Sequence, residues 1–478
     1  MDRLRNYVGG EWVDQAADAV DINPSDVKDV IAEYGQADKA LTEQAIEAAS
    51  SAAADWGRSS IQARADILDA VGNNIIARNE ELGLLLSREE GKTLPEGIGE
   101  VSRAGYVFKF FAGEALRLTG DLVPSVRGGV DVEVNRQPMG VVGIISPWNF
   151  PAAIPAWKIA PALAFGNSVV FKPANLVPAM ASEIAKIIVE AGLPPGVFNL
   201  VMGKGSEVGE TIVNDHRVDA ISFTGSVATG QQIAQKSVAR MAKFQLEMGG
   251  KNPLVILDDA DMEIAVNCAI NGAYFSTGQR CTASSRLIVT KGIHDEFVSA
   301  VKERLGKTLV DNAVKEGTQI GPVVDENQLN QDLYYIEEAK KEGGNLVYGG
   351  NVLQRETEGF YLEPALFTET QNEMKINQEE VFGPVATIIR VDNYDEALVT
   401  ANATNFGLSS GIVTRSLKYA SDFRKKAEAG MVMVNLPTAG VDYHVPFGGT
   451  KGSSYGPREQ GSYAKEFYTT VKTSYIFP

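Results

Sequence analysis

The stretch SVVFKPANLVPAMASEIAKIIVEAGLPPGVFNLVM, residues 168–202, decides the fold. It begins with the apolar run Ser168–Phe171 and ends with the apolar run Phe198–Met202. Between them, apolar residues recur with the helical period over Ala179–Ala191. Because parallel strands need a crossover connection, usually a helix, this order is typical of a strand–helix–strand unit. The stretch therefore predicts a parallel sheet that is covered by helices on both faces.

The same pattern continues on both sides of this stretch and restarts after Gly249 and Gly250. Buried strands are predicted at Val141–Ile145, Ala220–Phe223, 254–257, from Ser285, at Val385–Val391 and at Gly430–Asn435, and helices at Gly230–Ala242 and from Met262 through Phe275. The sequence therefore predicts an α/β protein with two α/β units.

Two segments that lie far apart in the chain have a different pattern. Gly129–Asn135 and Thr469–Ile476 alternate in polarity and are rich in β-branched residues. Such alternation is typical of antiparallel strands with one face in water. A tail strand often pairs with a partner subunit, so we expect these segments to form an oligomerisation flap.

The composition excludes several classes of protein. The 478 residues include 44 Lys and Arg and 61 Asp and Glu, so the net charge is −17 with His neutral. A surface of this charge repels the phosphates of nucleic acids, and neither DNA nor RNA is an expected partner. Cys268 and Cys281 are the only cysteines, which excludes a secreted disulfide framework and fits a reducing compartment.

The apolar runs are too short for a membrane protein. None approaches the roughly 18 consecutive apolar residues that a membrane span needs. The first residues, MDRLRNYVGGEW, have no apolar core and no small-residue cleavage site. We therefore expect a cytoplasmic protein without a signal peptide.

Cys281 is a candidate nucleophile. It lies in STGQRCTA, residues 276–283, three residues after Gly278 and beside Arg280. A cationic neighbour and exposed backbone N–H groups lower the pKa of a thiol and favour the reactive thiolate. The alternative interpretation is an inert loop cysteine. Cys268 lies in an apolar helical run and is predicted to be a small core residue.

A nucleophilic cysteine usually needs a base. Histidine is the common one, but no local signature of a Cys–His protease accompanies His216, His294 or His444. Glu247, in QLEMGGKNP, residues 245–253, is the carboxylate candidate, because burial among apolar residues raises the pKa of a carboxyl towards neutrality. The alternative is a structural glutamate at the end of a strand.

Three further turns carry candidate polar groups. Asn149, in a turn with two prolines, has an amide suited to a developing oxyanion, or is simply a turn residue. Lys172 ends a strand where parallel sheets bind nucleotides, although a solvated lysine is the default interpretation. Gly225 and Ser226 begin a helix whose N–H groups suit a pyrophosphate, although they do not form a GxGxxG fingerprint. No cluster of residues has metal-ligand spacing, so no metal is predicted.

Together these motifs resemble those of the aldehyde dehydrogenase superfamily, over essentially the whole chain. The resemblance is carried by PWNFP (Pro147–Pro151), FKPA (Phe171–Ala174), FTGS (Phe223–Ser226), LEMGGKNP (Leu246–Pro253), GQRC (Gly278–Cys281), EEVFGP (Glu379–Pro384) and PFGG (Pro446–Gly449). Any one of these motifs can arise by chance, but seven in this order are highly specific.

The resemblance implies an aldehyde dehydrogenase-like fold. It has a Rossmann-like cofactor domain, an α/β catalytic domain and a small β-flap that joins subunits into homodimers or homotetramers. We expect the cofactor domain at residues 1–120 and 138–250, the catalytic domain at 251–447 and the flap at 121–137 and 462–478.

The resemblance also implies a role for each matched residue. Cys281 is the expected nucleophile, Glu247 the base for hydrolysis, and Asn149, with the backbone N–H of Cys281, the oxyanion hole; Lys172 completes the expected catalytic residues. The expected cofactor-binding residues are Ile145, Ser146, Trp148, Asn149, Lys172, Ala174, Asn175, Gly225, Ser226, Met248, Glu380 and Phe382.

The implied reaction is the oxidation of an aldehyde with a nicotinamide cofactor, through a thioester on Cys281. Relatives that pass the acyl group to coenzyme A generally lack an acid corresponding to Glu247, so water is the expected acceptor. Many members that prefer NAD have a glutamate where Asn175 stands. Because a neutral Asn does not repel a 2′-phosphate, we predict that both NAD and NADP are used.

Three other segments resemble members that oxidise α-ketoglutaric semialdehyde, also called 2,5-dioxopentanoate. They are PAWK (Pro155–Lys158), SSYGPREQG (Ser453–Gly461) and EFYTTVKT (Glu466–Thr473). Members specific for succinic semialdehyde tend to have an arginine where Trp157 stands. Succinic semialdehyde, a broad range of aldehydes and a non-catalytic scaffold protein are the competing hypotheses.

An acidic substrate needs a cation in the site. Arg103 and Arg280 are the candidates, because arginine pairs with a carboxylate through two parallel hydrogen bonds. For Arg103 the alternative is a solvated arginine on a surface helix. The expected aromatic wall around the substrate consists of Tyr106, Phe150, Trp157 and Phe447.

Overall fold

The computed structural model describes residues 2–478. The strands in these residues are β1 (Asp2–Leu4), β2 (Asn6–Val8), β3 (Glu11–Val13), β4 (Ala19–Ile22), β5 (Val30–Tyr34), β6 (Asp121–Pro124), β7 (Asp131–Pro138), β8 (Val141–Ile145), β9 (Ser168–Lys172), β10 (Phe198–Leu200), β11 (Ala220–Thr224), β12 (Lys243–Glu247), β13 (Pro253–Ile256), β14 (Arg286–Thr290), β15 (Asn345–Tyr348), β16 (Ala365–Thr368), β17 (Val385–Val391), β18 (Phe406–Gly407), β19 (Ser409–Val413), β20 (Met431–Val434), β21 (Thr450–Lys451), β22 (Ser454–Tyr455) and β23 (Thr469–Ile476).

The helices in the same residues surround these strands. They are α1 (Lys39–Gly57), α2 (Ile61–Ala77), α3 (Asn79–Glu90), α4 (Leu94–Leu116), α5 (Ala153–Ala164), α6 (Pro178–Glu190), α7 (Glu210–Asn214), α8 (Val227–Ala239), α9 (Met262–Tyr274), α10 (His294–Leu305), α11 (Glu326–Lys341), α12 (Lys375–Gln378), α13 (Tyr394–Asn402), α14 (Leu417–Lys426) and α15 (Lys465–Tyr468). None of them is long and apolar enough to cross a membrane.

The largest sheet is built around the strand–helix–strand unit of residues 168–202. Its order is β22-β12-β11-β8-β9-β10-β2-β3, and the five strands from β12 to β10 are parallel. Val169 and Phe171 of β9 pack in a core with α2, α4, α5 and α6, whereas Val170 packs in a core on the opposite face with α1, α7 and α8. Burial on both faces is the reason that these strands are almost continuously apolar.

A second sheet lies between residues 253 and 434. Its order is β15-β16-β17-β14-β13-β19-β20, and it is parallel except for the edge pair β15 and β16. The predicted α/β architecture with two sheets is therefore confirmed. The observed strands and helices differ from the predicted ones by up to three residues at their ends.

The two alternating segments pair with each other as antiparallel strands. β23 pairs with β7 over its whole length, and β6 pairs with the other edge of β7. The strand predicted at Gly129–Asn135 begins two residues later and extends to Pro138. Residue 1 of the predicted cofactor domain lies outside the described residues. We propose that the β6-β7-β23 sheet forms the predicted flap, that the largest sheet belongs to the cofactor domain and that the second sheet belongs to the catalytic domain.

Candidate active site

Cys281 lies in the loop between α9 and β14 and lines two cavities that meet at its side chain. The larger cavity, about 440 Å³, is also lined by the substrate residues expected from the sequence, namely Arg103, Phe150, Trp157, Arg280 and Phe447. The smaller cavity, about 210 Å³, is lined by Trp148, Asn149, Gly225, Ser226, Met248, Glu380 and Phe382. One thiol is therefore accessible from two compartments with different linings.

The LEMGGKNP motif holds the Cys281 loop in place. Asn252 donates hydrogen bonds from Nδ2 to the backbone carbonyls of Cys281 (2.7 Å) and Ala283 (3.0 Å). A Cβ on Gly250 would lie 2.5 Å from the carbonyl oxygen of Cys281, so only glycine fits there. Two motifs that are separate in the sequence are thus parts of one site.

The expectation that Arg280 lowers the pKa of the Cys281 thiol is wrong. Burial raises this pKa to about 12, and the nearby carboxyls of Glu380 and Glu247 raise it further, although backbone N–H groups oppose them. The Arg280 guanidinium donates instead to Glu96 (3.2 Å). With its pKa this far above 7, the Cys281 thiol is protonated at neutral pH.

Asn149 lines the smaller cavity together with Cys281 and is held by two hydrogen bonds. Its Nδ2 donates to the backbone carbonyl of Gln279 (2.9 Å), which leaves the second amide hydrogen free. The backbone carbonyl of Asn149 accepts a hydrogen bond from Nζ of Lys92 (2.8 Å), and the same Nζ donates to the carboxylate of Glu100 (2.6 Å). A donor that is fixed before the reaction needs no reorganisation when negative charge develops.

Glu247 ends β12 beside the active site but lines neither cavity. Its Oε2 accepts a hydrogen bond from the hydroxyl of Ser454. Burial raises the pKa of the Glu247 carboxyl well above its usual value, and the charge of Glu459 raises it further. A raised pKa makes the Glu247 carboxylate a stronger base than that of an exposed glutamate, which is consistent with the predicted base for hydrolysis.

A buried ion pair, which sequence analysis did not predict, lies next to Glu247. Nζ of Lys158 contacts the carboxylate of Glu459 and donates to the hydroxyl of Ser222 (2.9 Å). Both charged side chains are at most 1% exposed. A lysine inside the apolar run AWKIAPALAF was the available signal, since a buried lysine requires a partner.

The smaller cavity has the groups that a dinucleotide needs. Ser226 caps the N-terminus of α8, where its hydroxyl accepts a hydrogen bond from the backbone N–H of Thr229. The N-terminus of a helix is a favourable position for a pyrophosphate. Trp148 and Phe382 pack edge to face, with ring centroids 5.4 Å apart. The hydroxyl of Thr224, which also lines this cavity, is buried and has no hydrogen-bond partner within residues 2–478. These residues fit NAD(P).

The other expected cofactor residues lie at the carboxyl edge of the large sheet. Ile145 and Lys172 are register partners at the ends of β8 and β9, and Ile145 lines a further cavity of about 370 Å³ beside α8. Lys172 donates to the carbonyl of Pro173 (2.8 Å), and burial lowers its pKa to about 8. Ala174 and Asn175 follow in the same turn, where the Asn175 carbonyl accepts from the Tyr34 hydroxyl (3.0 Å). Ser146, Lys172, Ala174 and Asn175 line none of the three cavities.

Glu380 is held inside the smaller cavity. Its Oε1 accepts from the backbone N–H of Gly250 (2.9 Å), and burial raises its pKa to about 7. The loop that carries it is fixed by α11, because the side chains of Gln328 and Gln331 donate to the carbonyl of Val381 (3.0 and 2.9 Å). Sequence analysis did not predict these two glutamines, and nothing in their local pattern distinguishes them.

The two candidate arginines of the larger cavity differ in their neighbours. Arg280 forms an ion pair with the carboxylate of Glu96 (3.2 Å). Arg103 has no carboxylate within 4 Å among the described residues, and its Nη2 donates to the neutral amide of Gln460 (3.2 Å). Of the two predicted anchors, only Arg103 offers an uncompensated positive charge to the cavity.

The expected aromatic wall is present without Tyr106. Trp157 and Phe447 stack with ring centroids 5.3 Å apart, and Phe150 lines the same cavity. Tyr106 instead lies outside it, partly exposed and stacked on Tyr443. Helix α4 turns the Arg103 side chain into the cavity and that of Tyr106 away from it.

A Cys–His arrangement is excluded. His216, His294 and His444 are all described, and none of them lines either cavity next to Cys281. Among residues 2–478 there is also no group of three or more His, Cys, Asp and Glu side chains placed to hold a metal ion.

Comparison with known proteins agrees with this geometry. The model of the aldehyde dehydrogenase family matches residues 12–474. The chain belongs to the aldehyde dehydrogenase family. It is therefore an NAD(P)-dependent aldehyde dehydrogenase, as the motifs predicted.

Two curated relatives of this aldehyde dehydrogenase match along their full length. The chain is 44% identical to an alpha-ketoglutaric semialdehyde dehydrogenase of Bacillus subtilis, covering 99% of this chain and 98% of the relative. It is 40% identical to a 2,5-dioxopentanoate dehydrogenase of Saccharolobus solfataricus, covering 99% of both.

A solved structure confirms the aldehyde dehydrogenase fold. It is a betaine aldehyde dehydrogenase of Staphylococcus aureus in complex with NAD+, with a TM-score of 0.96 and 35% identity. The match covers 98% of this chain and 94% of that one.

Proposed function

We propose that this aldehyde dehydrogenase oxidises α-ketoglutaric semialdehyde to 2-oxoglutarate and releases the acid by hydrolysis. The observation that carries the proposal is the larger cavity, in which the Cys281 thiol and the uncompensated Arg103 guanidinium share one space. A short substrate with an aldehyde at one end and a carboxylate at the other can place its aldehyde at Cys281 and its carboxylate at Arg103. The names of the two curated relatives support the same substrate.

The first half of the proposed reaction takes place at Cys281. Its sulfur, once deprotonated, attacks the aldehyde carbon, and the carbonyl oxygen becomes an alkoxide. The free amide hydrogen of Asn149 and the backbone N–H of Cys281 donate to that oxygen. Each such donor contributes about 3–4 kcal/mol to transition-state stabilisation in other enzymes.

The bound cofactor supplies a hydride acceptor, so that collapse of the alkoxide leaves a thioester on Cys281. Trp148, Phe382 and Glu380 are the residues that line its side of the thiol. Glu247 then takes a proton from water, which attacks the thioester carbon. The Cys281 sulfur leaves as a thiolate and the carboxylic acid forms. The proton that the thiol released to solvent before its attack is thereby balanced by the proton that Glu247 takes from water.

Arg103 provides the test of the proposed substrate. In Arg103→Leu, we expect kcat/KM for α-ketoglutaric semialdehyde to fall about 10- to 100-fold, because a hydrogen bond to a charged group contributes about 1.5–3 kcal/mol. An uncharged aldehyde of similar length should lose much less. Steady-state rates of cofactor reduction measure both, and succinic semialdehyde in the same panel tests the competing substrate.

The matched control is Arg117→Leu, which removes an exposed arginine at the end of the same helix. It should leave the ratio of the two kcat/KM values as in the wild type. An unchanged ratio in Arg103→Leu would contradict the proposed anchor and favour a broad-specificity enzyme.

We also propose that both NAD and NADP are accepted, because Asn175 places a neutral amide at the end of β9. In Asn175→Glu, the preference for NAD over NADP should rise about tenfold or more, since a carboxylate repels a 2′-phosphate. KM values for the two cofactors measure this shift. The neutral variant Asn175→Gln is the control, and an equal shift in that variant would show that size rather than charge is responsible.

The β6-β7-β23 sheet supports an oligomer. It exposes apolar side chains at its edge and end, with Leu122 81% and Phe477 76% exposed. Because large exposed apolar groups mark association surfaces, we propose a homodimer or homotetramer joined through this sheet. The free thiols of Cys268 and Cys281 fit the expected cytoplasmic location.

A further inference from the structure

Gln460 has a backbone conformation that does not suit its residue type. Its φ is 59° and its ψ is 173°, a region that glycine adopts readily and other residues rarely do. The residue is fully buried, and Gly461 beside it also has a positive φ of 55°. The chain therefore keeps a long amide side chain at a position where the backbone favours glycine.

That side chain contacts Arg103. Its Oε1 accepts the hydrogen bond from Nη2 of Arg103, and its Nε2 has no partner among the described residues. The Arg103 guanidinium also lies 5.7 Å from the ring centroid of Trp157. An amide oxygen and an aromatic face thus hold the guanidinium without a full negative charge.

The segment that carries Gln460 pairs with Phe447, a residue of the cavity wall. Glu459 and Phe447 form two backbone hydrogen bonds of 2.7 and 2.9 Å. Phe447 in turn stacks on Trp157. The position of Gln460 relative to the larger cavity is therefore fixed in two ways. The backbone of Glu459 pairs with that of Phe447, and the ring of Phe447 stacks on that of Trp157.

The charges around Arg103 explain why a neutral partner matters. Glu100 and Asp442 act on Arg103 from a distance and oppose the effect of burial, which lowers its pKa. Neither of them forms an ion pair with it. A carboxylate at position 460 would add a direct ion pair and leave less positive charge for a substrate.

We propose that Gln460 is a positioning residue that orients the Arg103 guanidinium and so determines the preference for aldehydes with a terminal carboxylate. The proposal rests on the proposed function, in which Arg103 binds that carboxylate. Gln460 holds the guanidinium at one nitrogen, and the other nitrogens stay available to the substrate. The strained backbone is maintained because it places the amide against Arg103.

The test compares Gln460→Gly with Gln460→Glu. For Gln460→Gly we expect the ratio of kcat/KM for the acidic semialdehyde to that for an uncharged aldehyde to fall about three- to tenfold, through KM for the acidic substrate. Its melting temperature should change little, since the relief of backbone strain offsets the loss of a fully buried side chain. Gln460→Glu should lower the ratio further, because it cancels the charge of Arg103.

A double variant separates a positioning role from a general one. In the Arg103→Leu background, Gln460→Gly should cause no further fall in the ratio, since residues that act through one contact are not additive. Independent, additive effects would overturn the proposal, as would an unchanged ratio in both Gln460 variants. If Arg103→Leu itself leaves the ratio unchanged, the proposed anchor fails, and this outcome is distinct from a failure of Gln460 alone.

Discussion

Cys281→Ala is expected to abolish turnover, with a loss in kcat on the order of 10⁶, as when an enzyme loses its only nucleophile. Cys281 is the one thiol that lines both cavities, and neither cavity has a histidine to replace it. The absorbance of reduced cofactor measures the loss. Binding of the cofactor, followed by protein fluorescence, should persist because the Ser226 helix terminus and Glu380 are unchanged.

Cys268→Ala is the matched control for the nucleophile. Cys268 lies on α9 and is 3% exposed, in the core of the second sheet. Unlike Cys281, it lines neither of the two cavities, so its thiol has no access to a bound aldehyde. This variant should keep wild-type kcat with a small loss of stability. Turnover in Cys281→Ala within tenfold of the wild type would contradict the proposed chemistry.

Glu247→Gln is expected to form the thioester and then stall. Rapid mixing should show a burst of about one reduced cofactor per active site, followed by a steady rate about 10²–10⁴-fold below the wild type. The reason is that Gln cannot take the proton from water, whereas Cys281 and Asn149 are unchanged. Mass spectrometry of the quenched enzyme should detect the acyl group on Cys281.

The pH dependence of the wild type follows from the same carboxyl. Because burial and Glu459 raise the pKa of Glu247, its carboxylate fraction grows as the pH rises through that pKa. The hydrolysis rate should rise over the same range, and this rise should be absent in Glu247→Gln. If Glu247→Gln instead has a steady rate near that of the wild type, without a burst, then another group is the base.

Ser454→Ala is the matched control for Glu247. The Ser454 hydroxyl donates to the Glu247 carboxylate and lowers its pKa. Removing the hydroxyl should move the rise in rate to higher pH without abolishing turnover. This shift distinguishes a carboxyl that acts in catalysis from one that only supports β12.

The local pattern of residues was sufficient for the architecture. Runs such as Ser168–Phe171 are apolar because both faces of their sheet are covered, and that requirement is visible in the sequence itself. The ends of helices were less predictable. The helix predicted at Gly230–Ala242 begins at Val227, since Ser226 caps it and the first turn carries few apolar residues.

Part of the candidate site was also predictable, because some of its residues lie in local sequence motifs. Cys281 and Asn149 lie in turns that follow a helix and a strand, and Glu247 is the last residue of β12. All three belong to short, contiguous motifs. Lys158 and Glu459 are 301 residues apart, and no local pattern relates them. Gln328 and Gln331 likewise act on a loop about fifty residues away.

The sequence by itself determined the α/β fold, the family and the candidates for the reactive groups, because these depend on residue type and on periodicity along the chain. Only the tertiary structure decided the charge states: it buries the Cys281 thiol, pairs Arg280 with Glu96 and leaves Arg103 against the neutral Gln460. The physical reason is that burial and electrostatic interactions act through space. Burial and electrostatic interactions depend on which distant segments fold together, and the order of the residues along the chain does not show which segments these are.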